Sequence, residues 1–74
     1  MPKATPDPVL RSLGAKIRAL RIEKGLSQEA LAHAARLDRS YMSGIERGLR
    51  NVSVLKVARI ARVLDKPLAT MFVK

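Results

Sequence analysis

The sequence predicts one small all-α domain, and three features point there. The chain has 74 residues, enough for a single core and no second folded unit. Apolar residues make up 47% of it but include only one Tyr and one Phe, so the core must come from Leu, Ile, Val and Ala, which suit packed helices better than a strand-rich sandwich. These residues recur three and four positions apart, and each stripe follows a residue able to cap a helix.

Residues 1–7, MPKATPD, hold two prolines and no apolar period, and read as a mobile arm ahead of a domain over 8–74. Asp7 then Pro8 is an N-cap followed by proline at the first helical position. Leu10, Leu13, Ile17 and Leu20 form the inner stripe of the first helix, and Gly25 ends it. Ser27 caps a short second helix with Leu31, Ala32 and Ala35 facing inward. Asp38 caps a third, Arg39 to Arg47, which stops at Gly48. Two short helices joined by Arg36, Leu37 and Asp38 make a helix-turn-helix. Ser53 caps a fourth helix with the stripe Val54, Val57, Ile60, Ala61 and Leu64. Pro67 opens a last turn or two through Leu68, Met71 and Phe72, giving five helices.

Fifteen Lys and Arg against six Asp and Glu give a formal charge of +9, a field that favours a polyanionic partner. The absence of Cys and the single His33 leave no metal-ligand set, so no cofactor is expected, and His33 reads as a surface residue. The six acids form no carboxylate pair, and no nucleophile–base pair or phosphate loop occurs, so the chain does not read as an enzyme. No small-molecule ligand is expected. Lys3, Pro6, Asp7, Pro8 and Arg11 break up any secretion signal, no run of residues suits a membrane span, and the cytoplasm is the expected compartment.

At 100 degrees per residue the third helix separates into two faces. Arg39, Ser40, Ser43, Gly44 and Arg47 fall within about 140 degrees of arc, with Met42 and Ile45 on the core side. Arg donates paired hydrogen bonds to guanine O6 and N7, Ser serves a base edge or a phosphate, and a helix fits the major groove of B-form DNA. Tyr41 sits at the border of the faces, its ring able to pack inward while its hydroxyl reaches a phosphate or base.

The stretch Leu13 to Phe72, with KGLSQE, then IERG, then a helix ending LDKPL, resembles the lambda-repressor and Cro-like helix-turn-helix family, also called the xenobiotic-response-element family. Within it, LDRSYMSGIERGLRN looks most like the small dimeric controller proteins of restriction-modification systems. The resemblance implies a compact five-helix lambda-repressor-like DNA-binding domain in which Arg39 to Arg47 is the recognition helix. It further implies that Arg50 and Asn51 lie at the DNA and that Gln28 reaches a phosphate. Two positions depart from the family pattern. Arg36 stands where Gly or Asn often serves a left-handed turn, at a cost of roughly 1 to 2 kcal/mol. Gly44 stands where many relatives carry a base-reading side chain; it reads either as a weak point of the helix, costing about 1 kcal/mol against Ala, or as a bare backbone that lets the helix sit deep and leaves the groove to Arg50.

Arg21 falls on the buried stripe beside Leu10 and Ile17, where a guanidinium wants a carboxylate. Glu46, the only acid of the third helix, is its natural partner in a structural ion pair, and the resemblance implies the same pairing. Arg11, Arg18, Arg59 and Arg62 read as a solvated face.

The function expected is sequence-specific binding of a double-stranded DNA operator by a homodimer that regulates transcription. Arg39, Ser40, Ser43 and Arg50 would read bases, while Gln28, Tyr41, Arg47 and Asn51 would hold the backbone. The dimer expectation rests on apolar residues crowded at the C-terminus, with Val63, Met71, Phe72 and Val73 as the interface. An antitoxin of the same fold, binding a toxin protein and its own operon, is the alternative. A basic peptide lying on a membrane fits less well, because the cations do not gather opposite one long apolar face.

Overall fold

The computed structural model describes residues 7–73. Four α-helices and a terminal 3-10 helix follow one another: α1 Pro8–Glu23, α2 Gln28–Ala34, α3 Arg39–Glu46, α4 Val54–Val63 and the 3-10 helix Leu68–Phe72. The fifth element is thus a tight turn rather than an α-helix, and no strand occurs among the described residues. None of these helices is long and apolar enough to cross a membrane. The arm expected over residues 1–7 lies outside the described residues except for Asp7, which belongs to the cap of α1.

Every expected cap forms. Asp7 accepts from the Val9 amide at 2.8 Å, Ser27 from Ala30 at 3.0 Å, Asp38 from Ser40 at 3.0 Å and Ser53 from Lys56 at 3.2 Å. Each satisfies an amide that the first helical turn leaves without a partner. All four α-helices also end in a left-handed residue: Gly25, Arg36, Gly48 and Asp65, with φ between 58° and 78°. Glycine removes the steric penalty at two of these ends. At Arg36 the turn is held from outside, because Arg59 of α4 donates from Nε to the Ala35 carbonyl and from Nη2 to the Arg36 carbonyl, both at 3.1 Å. Arg59 therefore fastens the end of α2 instead of lying on a solvated face. Asp65 is met by the Lys24 ammonium at 2.7 Å.

The core gathers Leu13 and Ile17 of α1, Leu31, Ala32 and Ala35 around α2, Met42 and Ile45 of α3, and Val57, Ile60, Ala61 and Leu64 around α4. Each fully buried Ile, Leu or Met side chain contributes about 1.5 to 3 kcal/mol of transfer free energy. Val54, expected on the inner stripe, is exposed; it opens α4 before the helix reaches the core. Met71 is buried, so it closes the monomer core from the 3-10 helix and has no surface for a partner. The tight turn sends Met71 inward and leaves Phe72 and Val73 outside, 51% and 57% exposed.

One close approach sets the placement of α3. A Cβ added to Gly14 would run into the carbonyl oxygens of Ile45 and Glu46, the latter at 2.7 Å. The backbone of α1 therefore lies directly against the end of α3 at Gly14, and no side chain fits between them.

Candidate nucleic-acid interface

With Met42 and Ile45 anchored in the core, α3 turns its other side to solvent. Arg39, Ser40 and Arg47 are exposed there and Ser43 is half-buried. Arg50 and Asn51 are exposed in the loop that follows. Arg47 is the C-cap residue of α3, just past the helix expected to include it. The two helical faces read from the sequence are both present.

Asp38 organises the start of this face. Its carboxylate accepts from the Ser40 hydroxyl and from the amides of Ser40 and Tyr41, the latter at 3.3 Å. The Ser40 hydroxyl bond, then the Tyr41 amide and the nearby charge of Arg50, hold this carboxyl below the ordinary aspartate range. The Ser40 hydroxyl proton is thereby committed to Asp38, leaving its oxygen lone pairs to face an incoming donor.

Tyr41 is half-buried, and two cations lie against its ring: Lys56 of α4 at 4.7 Å and the Arg50 guanidinium at 5.6 Å from the centroid. Both fall within cation–π range. Lys56 thus joins the basic face from a different helix. No local pattern around position 56 announces this, because the contact exists only once α4 has packed against α2 and brought its first turn to Tyr41.

Behind the face lies the ion pair read from the sequence. Arg21 donates from Nε to Glu46 Oε2 at 2.6 Å and from Nη2 to Oε1 at 3.1 Å, and its Nη1 donates to the Leu26 carbonyl at 2.9 Å. The Glu46 side chain is 2% exposed and that of Arg21 12%. Gln28, expected at a phosphate, donates one Nε2 hydrogen to Glu46 Oε1 at 3.1 Å. It opens α2 beside the buried carboxylate, and satisfying that charge turns its amide inward. Arg21, Gln28 and Glu46 therefore form a part-buried scaffold tying α1, α2 and α3 together.

The expected interface residues at the C-terminus do not all come together. Phe72 lines an apolar cleft with Pro8, Val9, Ser12, Leu13 and Met71, whereas Val63 lines a separate one with Ala34, Ala35, Arg36, Arg59 and Arg62. Among the described residues no cluster of His, Cys, Asp and Glu could hold a metal ion.

The chain is similar to several known proteins. The control protein C.BamHI of Bacillus amyloliquefaciens is 46% identical over 52 residues, covering 69% of this chain; the chain spans 64% of that protein's length. The crystal structure of the restriction-modification controller protein C.AhdI from Aeromonas hydrophila superposes with a TM-score of 0.83 at 48% identity, over 85% of this chain and 96% of that one. SinR, the master regulator for biofilm formation, solved in complex with DNA, superposes with a TM-score of 0.76 at 38% identity, over 80% of this chain and 95% of that one. The sequence model of the helix-turn-helix family matches residues 17–71, from the middle of α1 to the terminal 3-10 helix. The chain belongs to the helix-turn-helix family.

Proposed function

We propose that this protein is a sequence-specific regulator of transcription that binds double-stranded DNA as a homodimer, of the controller kind that accompanies restriction-modification enzymes. The observation that carries the reading is the outer side of α3 and the loop after it. There Arg39, Ser40 and Ser43 lie on a helix whose other side is locked into the core, and Arg47, Arg50 and Asn51 follow at its end and in the loop beyond. This side offers donors suited to guanine edges and phosphates, on a chain of net charge +9. The likeness to the control protein C.BamHI, to the restriction-modification controller protein C.AhdI and to a regulator solved on DNA supports it.

Arg39, Ser40, Ser43 and Arg50 read base edges, while Tyr41, Arg47 and Asn51 hold the sugar-phosphate backbone. Gln28 Nε2 keeps one N–H on Glu46 and donates its second to a phosphate. The protein works by binding, in the cytoplasm, without metal or small-molecule cofactor. Phe72, exposed beside Val9, and the exposed Val73 that follows it supply the apolar surface on which two copies meet, with Val63 outside that contact.

Selection of duplexes from a randomised pool by the wild-type chain tests this reading. A two-fold symmetric motif is expected, with affinity that falls as salt rises by about 0.9 in log–log slope for each phosphate contacted. Failure to enrich any sequence, or a slope near zero, refutes it.

A further inference from the structure

Gly44 sits in the middle of α3 and is buried, although it lies on the side that faces solvent elsewhere. What covers it is Arg50. A Cβ placed on Gly44 would lie 2.7 Å from Arg50 Cγ, 3.2 Å from Nε and 3.5 Å from Cδ, and these are the three nearest atoms. Neither backbone nor core demands a glycine here. The residue lacks the positive φ of Gly25 and Gly48, and no backbone is wedged against it as it is against Gly14. Glycine in a helix interior weakens folding about five-fold relative to alanine, so the position forgoes stability with no return inside the domain.

The return is in the direction of Arg50. Its stem lies flat across the bare α-carbon of Gly44, which brings the guanidinium alongside the Tyr41 ring at 5.6 Å, with Lys56 on the same ring at 4.7 Å. A loop arginine is otherwise free to sweep through many rotamers, and holding one of them removes an ordering cost on binding. We propose that Gly44 is the seat of Arg50, a positioning residue that fixes the angle at which this arginine enters the groove and hence which base pair it reads. This rests on the DNA-binding reading above.

Two measurements on G44A, R50A and the double variant test it. In the free protein, the Arg50 Nε–Hε resonance should be shifted by the Tyr41 ring and move toward its free-arginine position in G44A. On the duplex that wild type enriches from a random pool, G44A should lose about ten-fold in discrimination at the base pairs where R50A loses it. Binding to random duplex should stay unchanged, since no charge is removed. Adding G44A to R50A should have no further effect, and G44A should melt at or above the wild-type temperature. The inference is overturned if the Arg50 resonance does not move, if G44A keeps wild-type discrimination, if the losses of the two single variants multiply, or if G44A does not fold. Should wild type enrich no duplex, the DNA reading falls and the role of Gly44 in it falls too, while the resonance still reports whether the seat exists.

Discussion

Arg21 and Glu46 concentrate much of the domain's electrostatic cost in one place. A buried carboxylate is tolerable only while donors surround it, and Glu46 has two from Arg21 and one from Gln28. Replacing either Arg21 or Glu46 with Ala should therefore destabilise the fold by about 3 to 5 kcal/mol, close to the whole stability of a small domain. Chemical and thermal melts check it; an R21A protein that melts like wild type yet fails to bind DNA would mean that Arg21 serves the interface instead. Asp38 gives a pH signature. Its folded pKa is depressed, so its support of α3 is complete above the aspartate range and lost as pH falls through the folded value. D38N should remove that part of the acid dependence of stability, and a D38N protein with the wild-type acid profile would contradict it.

Among the elements, α3 divides its labour. Arg39 lies in the first turn with its side chain exposed, whereas Arg47 caps the opposite end. R39A should lose about 1 to 3 kcal/mol on the preferred duplex and relax preference at one base pair, while R47A should weaken all duplexes alike. Even losses from both over every sequence would overturn this division. The elements were legible in the sequence because their signals are local. Ser27, Asp38 and Ser53 each stand one residue ahead of the helix they cap, and Leu13, Ile17, Val57 and Ile60 keep helical spacing. The pairing of Arg21 with Glu46 was legible too, since a cation on an apolar stripe demands an acid. What stayed hidden depends on contact between distant segments. The clasp of Arg59 on α2, the turn of Gln28 toward Glu46, the approach of Lys56 to Tyr41 and the burial of Met71 all need the packed fold to define them.

For the molecule as a whole, the unresolved debt is apolar surface. Phe72 and Val73 remain more than half exposed after the core is complete, and Val9 beside Phe72 is 61% exposed. Self-association across a two-fold axis would bury this patch and set two α3 helices about 34 Å apart, one turn of DNA. Phe72→Ser should give a folded monomer with weakened operator binding, read by sedimentation and by titration with the duplex. A wild-type chain that stays monomeric at high micromolar concentration contradicts the patch as a dimer contact.

The central claim is that the outer side of α3 and the loop after it meet the DNA. Titrating isotope-labelled protein with the duplex it enriches, and following every amide by NMR, tests this most directly. The largest shifts should fall on Arg39 to Ser43, Arg47, Arg50 and Asn51, with small changes at Arg18 and Arg62 on the solvent faces of α1 and α4. Shifts centred on those two helices, with α3 unmoved, would contradict it.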